Sequence, residues 1–190
     1  MSTSHTNVPY TYEDYKILTA TSDRHYELIN GDLYMNPSPT VAHQVISMNI
    51  VSRLERHVSE ARCGRVFHPP LDVVLGQGEK RSVVQPDIMF VSSERKSLMT
   101  EDEIAGAPDL IVEILSPGTA RRDLGVKKAL YAQSGVVEYW IVNPELGIVD
   151  LYSLADSFAE PVRHSLGETL LSHAVPGFEL TIADVFRDLP

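Results

Sequence analysis

The chain has 190 residues, a length that fits one domain, so residues 1–190 are expected to fold together, with a flexible segment at 1–9. The hydrophobic fraction of 43% and the charged fraction of 22% are ordinary for a soluble globular protein, and no apolar run approaches the roughly 20 residues that a membrane span needs. The formal net charge of −10 argues against broad, non-specific attraction to nucleic acid, but not against a site whose acidic residues hold divalent cations.

The N-terminal part of the chain predicts a short helix followed by a hairpin. Thr11 has the residue type of an N-cap and Asp14 follows three residues on, so a helix is expected over 11–20. The segments 25–29 and 32–35 then flank Asn30-Gly31. This pair best supplies the two positive φ angles of a type I′ turn, which predicts a β-hairpin.

Apolar residues at intervals of three and four predict a long amphipathic helix that ends near Gly64. The stripe consists of Val41, Val45, Met48, Val51, Leu54 and Val58. Strands are expected next at 65–67, 71–75, 83–84 and 87–91, and their order along the chain suggests a β meander. A polar link over 92–104 is expected to be helical.

The second half of the chain contains a strand, helix, strand unit. An apolar run at 109–115 reads as a strand, 119–134 as a helix and 136–142 as the next strand, an arrangement typical of a parallel crossover. A further strand is expected at 147–152 and a last helical turn at 182–186. We therefore predict a mixed α+β fold, with a central mixed β-sheet flanked by helices and an N-terminal β-hairpin.

Glu113 is the most informative residue, because it lies in the middle of the apolar run 109–115. A strand in which both odd-numbered and even-numbered residues are apolar is covered on both faces. An unpaired carboxylate buried in such a strand costs several kcal/mol or becomes neutral. Such a buried charge usually has a partner, which is often a metal ion.

Two Pro-Asp pairs offer an acidic partner for Glu113. Asp109 lies on the same strand, about 13 Å away, which is too far for two carboxylates to share an ion. Asp87 opens a different apolar strand, and its carboxylate converges with that of Glu113 if the two strands pair. We therefore favour Asp87, and interpret Asp109 as a residue that starts its strand.

The helix after Glu113 supplies a lysine. When residues are placed at 100° intervals, Ala120, Leu124, Leu130 and Tyr131 share one face and Lys127 lies in its middle. Side chains on helices lean toward the N-terminus, which here brings Lys127 toward the end of the strand that carries Glu113. A buried lysine beside two carboxylates is therefore expected.

Two acidic residues and a lysine suit metal-assisted hydrolysis of a phosphodiester. Carboxylate oxygens bind Mg²⁺, the ion lowers the pKa of a bound water, and an ammonium group stabilises developing charge. Each of Asp87, Glu113 and Lys127 has a role in this chemistry.

The chain resembles the PD-(D/E)XK nuclease superfamily and, within it, the Uma-two family of restriction-endonuclease-like proteins. The resemblance spans about three quarters of the chain, in the segments Tyr26-Glu-Leu-Ile-Asn-Gly-Asp-Leu33, Pro37-Ser-Pro39 with His43-Gln44, Gln85-Pro-Asp87, Val112-Glu-Ile-Leu-Ser-Pro117, Asp123-Leu-Gly-Val-Lys127 and Glu138-Tyr-Trp140. Their order and spacing are more specific than any one of them.

The resemblance implies a restriction-endonuclease-like core with Asp87 and Glu113 as metal ligands, and it adds Glu27 as a further acidic residue of the site. It also implies Mg²⁺ as cofactor, with Mn²⁺ as a substitute, DNA as substrate and a homodimer by analogy. The superfamily lysine follows the acidic residue by two positions, but Leu115 stands there in this chain. The lysine role therefore falls to Lys127.

The residues also allow plainer interpretations. Glu113 can form a buried salt bridge with Lys127, and Asp87 can be a turn residue after a proline. Glu27 can face solvent on an edge hairpin, and Lys127 can extend along the helix flank. His43 and Asp72 are left outside the core of the site, while three aromatic residues are expected to pack the core: Tyr131, Tyr139 and Trp140.

Two functional hypotheses follow. The first is a Mg²⁺-dependent endonuclease that hydrolyses DNA through Asp87, Glu113 and Lys127, with Glu27 assisting. The alternative is a non-catalytic DNA-binding or protein-interaction module that keeps the nuclease fold. The lone cysteine, Cys63, and the absence of a recognisable secretory signal in the sequence predict a cytoplasmic protein with no membrane partner.

Overall fold

The structure, a computed structural model, describes residues 8–190 and contains three sheets of six, five and two strands. The helices are α1 (Tyr12–Ala20), α2 (Val41–Ala61), α3 (Ala120–Arg122), α4 (Lys128–Ser134) and α5 (Ile182–Val185). A π turn, Asp123–Lys127, joins α3 to α4, and we call residues 120–134 the composite helix. The expected flexibility of residues 1–9 falls largely on 1–7, which lie outside the described residues.

The strands are short and number thirteen in the part of the chain that the structure describes. They are β1 (Tyr26–Ile29), β2 (Asp32–Met35), β3 (Gly64–Phe67), β4 (Asp72–Leu75), β5 (Ser82–Val84), β6 (Ile88–Ser92), β7 (Glu103–Ile104), β8 (Leu110–Ile114), β9 (Glu138–Asn143), β10 (Ile148–Ser153), β11 (Val162–Ser165), β12 (Thr169–Leu171) and β13 (Glu179–Thr181). Short 3₁₀ segments occur at Gly78–Lys80, Ser93–Leu98 and Leu154–Asp156.

The six-stranded sheet is mixed and has the order β11-β10-β9-β8-β6-β3. Strands β8 and β9 are parallel and are joined by the composite helix, whereas β6 and β8 are antiparallel. The predicted parallel crossover is therefore confirmed, and so is the mixed sheet with flanking helices. The two central strands, β8 and β9, are buried along nearly their whole length, which explains their continuous apolar sequence.

The N-terminal hairpin belongs to the five-stranded sheet, whose order is β2-β1-β5-β4-β7. Asn30 and Gly31 have φ angles of 52° and 87°, so both turn residues are left-handed and the hairpin prediction is confirmed. The predicted N-cap is also present, because Thr11 and Asp14 form a reciprocal capping box at α1.

The prediction of a β meander over 65–91 is wrong. Strands β3 and β6 pair in the six-stranded sheet, whereas β4 and β5 pair in the five-stranded sheet. Pro69 and Pro70 lie between β3 and β4 and have no N–H to donate to a ladder, so the chain leaves one sheet there and enters the other. The spacing of strands along the sequence does not indicate that the chain changes sheets.

The long helix packs through a stripe that shares Leu54 and Val58 with the predicted one but is turned away from Val41 and Met48. Its buried residues are Ile46, Ile50, Leu54 and Val58, while Val41 and Met48 are 69% and 62% exposed. The buried residues are spaced by four and form one ridge against the six-stranded sheet. The helix ends at Ala61, and Arg62, whose φ of 53° forms the left-handed cap, lies two residues before Gly64, near which the end was predicted.

The six-stranded sheet carries a core on each face. One face packs against α2 and the C-terminal segment, and Trp140 is buried there as predicted. The other face packs against the five-stranded sheet and the composite helix, where Tyr131 and Tyr139 are buried. A cleft opens where this second core reaches the end of β8.

Two acidic residues singled out in the sequence have structural roles. Asp109 accepts a hydrogen bond from the Ser92 backbone N–H at 2.7 Å and lies 3.3 Å from Arg95, which confirms it as a residue that starts its strand. Asp72 accepts from Tyr15 and Gln85 at 2.8 and 2.9 Å, within the five-stranded sheet and its neighbours. In residues 8–190, no helix has the length and apolarity that crossing a membrane requires.

Candidate active site

A cleft of about 520 Å³ opens at the end of β8 and contains most of the residues predicted for the site. Its walls come from the start of α2, the segment before β6, the end of β8 and the first turns of the composite helix. Asp87, Glu113 and Lys127 all line it, together with His43 and Asp123. The structure thus brings together side chains from four separate elements.

Asp87 and Glu113 meet through the antiparallel register of β6 and β8. Ile88 pairs with Val112, so the next step along each strand places Asp87 opposite Glu113 on the same face of the sheet. Oδ2 of Asp87 accepts a hydrogen bond from the Ile114 backbone N–H at 2.7 Å. This contact fixes the Asp87 carboxylate against the end of β8.

Glu113 is 4% exposed and its Oε1 atom is held by two donors. Tyr131 donates its hydroxyl hydrogen to this oxygen at 2.7 Å, and Lys127 Nζ lies 2.5 Å from it. Burial raises the pKa of the Glu113 carboxyl well above its ordinary value, although Lys127 acts in the opposite direction. Tyr131 is buried in the core, as predicted. Its hydroxyl also orients Glu113.

Lys127 is 2% exposed and its ammonium lies among three carboxylates. Its Nζ atom is 2.9 Å from Glu27 Oε1 and 3.6 Å from Asp123 Oδ1, in addition to the contact with Glu113. Burial alone lowers the pKa of Lys127, but the charges of these carboxylates outweigh it and raise the pKa above its usual value. Lys127 is therefore a charged group in the interior.

Glu27 is fully buried, so the interpretation of a solvent-facing residue on an edge hairpin is wrong. Its Oε1 atom accepts a hydrogen bond from the Gln85 backbone N–H at 2.8 Å. Its Oε2 atom lies 3.3 Å from Arg122 Nη2, an ion-pair distance without hydrogen-bond geometry. Glu27 lies on the same face of β1 as Ile29, which is two residues further on and belongs to the core between the five-stranded and six-stranded sheets.

The π turn of the composite helix sets the direction of Lys127. A π turn widens the helix by one residue, and here both Asp123 and Lys127 face inward and are 2% exposed. Leu124, which a regular wheel places on the inward face, is instead 46% exposed. Lys127 faces inward, as predicted. Leu124 was predicted to face inward but is exposed.

Comparison with known proteins shows the family to which the chain belongs. The family model Uma2, described as "Putative restriction endonuclease", matches residues 12–183. The chain belongs to the Uma2 family. The resemblance to the Uma-two family, stated from the sequence motifs, is therefore confirmed.

Two relatives extend the match. A crystal structure of a "putative nuclease belonging to DUF820" from Anabaena variabilis aligns with this Uma2 chain at a TM-score of 0.78 and 24% identity, covering 94% of this chain and 98% of that one. This likeness shows the fold. An uncharacterized protein of Synechocystis sp. is 26% identical over 132 residues, which is 69% of the Uma2 chain and 67% of that protein.

His43 lines the cleft of this Uma2 chain, although the sequence analysis left it outside the core of the site. Its Nε2 atom lies 3.1 Å from Asp87 Oδ2, and its Nδ1 atom is buried with no hydrogen-bond partner among residues 8–190. Burial lowers the pKa of His43, but the hydrogen bond and charge of Asp87 outweigh it and raise the pKa above its ordinary value. The sequence signal that could have identified His43 was its position in the first turns of α2.

Asp123 and Arg122 were also missed. Asp123 stands four residues before Lys127, a spacing that places both on one helix face, and this spacing could have identified it. Burial raises the pKa of Asp123. Arg122 donates a hydrogen bond to Asn36 at 2.7 Å as well as pairing with Glu27, and no spacing in the sequence indicates these contacts.

Proposed function

We propose that this Uma2 protein is a Mg²⁺-dependent endonuclease that hydrolyses DNA phosphodiester bonds, with Asp87 and Glu113 as metal ligands. The observation that carries the proposal is the register of β6 and β8, which places these two carboxylates opposite each other at the wall of one cleft. A restriction-endonuclease-like family is usually metal-dependent, which supports the same chemistry.

The oxygen atoms of Asp87, Glu113 and Ile114 are suitable ligands for a hard divalent cation. Among residues 8–190, the contacts of Asp87 use Oδ2 and those of Glu113 use Oε1, which leaves Oδ1 and Oε2 available. The Ile114 N–H points to Asp87, and in an extended strand the carbonyl of the same residue points to the same side. Two carboxylates and a backbone oxygen therefore converge on the cleft.

The side chains alone do not form a complete cage. Within residues 8–190, no three carboxylate, imidazole or thiolate groups are arranged to hold a metal ion. Mg²⁺ commonly keeps several waters and is held by one or two carboxylates and substrate phosphates, so two side-chain ligands are sufficient. When bound, the ion lowers the pKa of a water and polarises the phosphate.

The chain's own residues supply the remaining functions. Lys127 lines the cleft and keeps a positive charge beside Glu113, where it stabilises negative charge that develops on the phosphate. Glu27 does not line the cleft, but it holds both Lys127 and Arg122. We assign to Glu27 the role of positioning these two cations.

Cleavage of supercoiled plasmid tests the proposal. The purified protein should nick plasmid in Mg²⁺ or Mn²⁺ and not in EDTA, and Glu113→Gln should abolish the nicking. Glu145→Gln is the matched control, because Glu145 is an exposed acidic residue that lines the same cleft. Equal nicking by the parent and Glu113→Gln would refute the assignment.

A non-catalytic DNA-binding or interaction module is the second candidate, and the contact of Lys127 with Glu113 favours it. In this case the ammonium serves only as the internal counter-ion of a buried acidic cluster. Calorimetry separates the candidates, because such a module binds neither Mg²⁺ nor Mn²⁺ at millimolar concentration. A homodimer, expected by analogy with the superfamily, stays a prediction that sedimentation equilibrium can check.

A further inference from the structure

A second concavity, of about 570 Å³, lies at the opposite end of the six-stranded sheet from the active-site cleft. It is formed by the C-terminal end of α2, the start of β3 and the 3₁₀ segment after β6. Three cations line it, Arg62, Arg65 and Lys96, together with the hydroxyl residues Ser59 and Ser93. We call these five residues the basic pocket.

The cations of the basic pocket have no acidic partners in the part of the chain that the structure describes. No carboxylate among residues 8–190 lies within 4.0 Å of Arg62, Arg65 or Lys96, and no Asp or Glu lines the pocket. All three side chains belong to exposed residues. In a chain of net charge −10, three unpaired cations around one concavity form a local anion-binding surface.

The dipole of α2 does not account for this cluster. A helix C-terminus favours a nearby cation, and Arg62 stands at that end. Arg65 belongs to β3 and Lys96 to the segment after β6, so each is supplied by a different element. Three elements thus direct positive charge to one place.

Strand β3 connects the basic pocket to the active-site cleft. It is the last strand of its sheet, Arg65 near its start lines the pocket, and His68 directly after it lines the cleft. Along the neighbouring β6, the six steps from Asp87 to Ser93 span about 20 Å. A nucleic-acid strand advances 3.4 Å per nucleotide, so roughly six nucleotides cover this distance.

We propose that Arg62, Arg65 and Lys96 bind backbone phosphates of the nucleic acid whose scissile phosphodiester lies at Asp87 and Glu113, roughly six nucleotides away. The inference rests on the proposed function for the identity of the ligand. The pocket is lined by exposed cations and two serines, which are residue types that contact phosphate oxygens, and such contacts carry no sequence information. It positions the duplex along β3 regardless of sequence.

The salt dependence of binding tests this proposal. The affinity for a duplex oligonucleotide is measured by fluorescence anisotropy in EDTA, over a range of salt concentrations, for the parent and for the double variant Arg62→Gln/Arg65→Gln. Loss of two phosphate contacts should reduce the magnitude of the slope of log affinity against log salt by about 1.8. Lys96→Gln should reduce it by about 0.9.

The matched control removes two other exposed cations. Lys80→Gln/Arg187→Gln changes the net charge by the same amount, and both residues lie outside the basic pocket. This control should keep the parent slope. Thermal unfolding of each variant verifies that the fold is intact before binding is compared.

Two results would overturn the proposal. One is a double variant whose slope equals that of the control. The other is a variant that loses affinity for inorganic phosphate but not for the duplex, since the pocket would then serve a small anion. If plasmid nicking is absent while the slope still changes, the proposed catalytic function fails and the basic pocket stands as a nucleic-acid contact.

Discussion

Lys127 reaches from the composite helix to Glu113 at the end of β8, with Nζ 2.5 Å from Oε1. Because the same ammonium lies 2.9 Å from Glu27 in β1, it joins the five-stranded sheet to the six-stranded sheet. Under the proposed function, Lys127 takes the role that the superfamily gives to a lysine two residues after the acidic residue, where Leu115 stands in this chain. The contact has consequences for stability as well as for chemistry.

Replacing Lys127 by methionine should destabilise the protein strongly. The variant Lys127→Met leaves the carboxylates of Glu27, Glu113 and Asp123 buried without their shared cation, and removing one partner of a buried ion pair costs roughly 3–5 kcal/mol. Urea unfolding at pH 7 measures the loss in free energy of unfolding. Lys16→Met is the control, because Lys16 pairs with Glu103 at the surface, where such a pair contributes less than about 1 kcal/mol.

Glu27→Gln should lower the rate of cleavage by roughly 10–100-fold, the usual effect of removing a group that orients the residues of a metal site. Glu27 does not line the cleft, so kcat should fall while KM for DNA stays close to that of the parent. Steady-state cleavage kinetics separate the two constants. A change in KM alone would show that Glu27 contributes to substrate binding and not to positioning.

His43 should titrate above its ordinary pKa of 6.5 because of Asp87. Since the folded-state pKa is raised, the contribution of this pair to stability is fully present below the unfolded pKa of 6.5 and is lost as pH rises through the folded value. Nuclear magnetic resonance titration of the His43 ring measures the pKa directly. Asp87→Asn should lower it, and so should Mg²⁺ when it binds the same carboxylate.

Gly64→Ala should destabilise β3, because an added Cβ would lie 2.3 Å from the Val91 carbonyl oxygen and 2.5 Å from the Phe90 ring. Overpacking of this kind costs roughly 1–3 kcal/mol. Gly125→Ala is the matched control, since an added Cβ there meets no atom within 4 Å. Equal unfolding free energies for the two variants would show that β3 moves freely away from β6.

The local elements and the central pair of carboxylates were predictable from the sequence. The Asn30-Gly31 turn depends only on the residues that form it. Glu113 was identifiable because a charge in an apolar strand is costly, and Asp87 because only a second strand can bring a carboxylate to it. These arguments need no knowledge of the tertiary structure beyond the pairing of two strands.

The rest of the site depends on contacts between distant segments. The change of sheet between β3 and β4, the pairing of Arg122 with Asn36 and Glu27, and the hydrogen bond from Tyr131 to Glu113 are set by tertiary packing. The π turn also rotates Leu124 out to solvent, which a wheel of regular helical period cannot represent. Spacing along the sequence records none of these.

Calorimetric titration with Mn²⁺ tests most directly whether Asp87 and Glu113 bind one divalent cation. The parent should bind one equivalent, as should the cleft control Glu145→Gln, while Asp87→Asn and Glu113→Gln should bind none at metal concentrations that saturate the parent. Undiminished binding by Asp87→Asn and Glu113→Gln would contradict the account, as would a parent protein that binds no Mn²⁺.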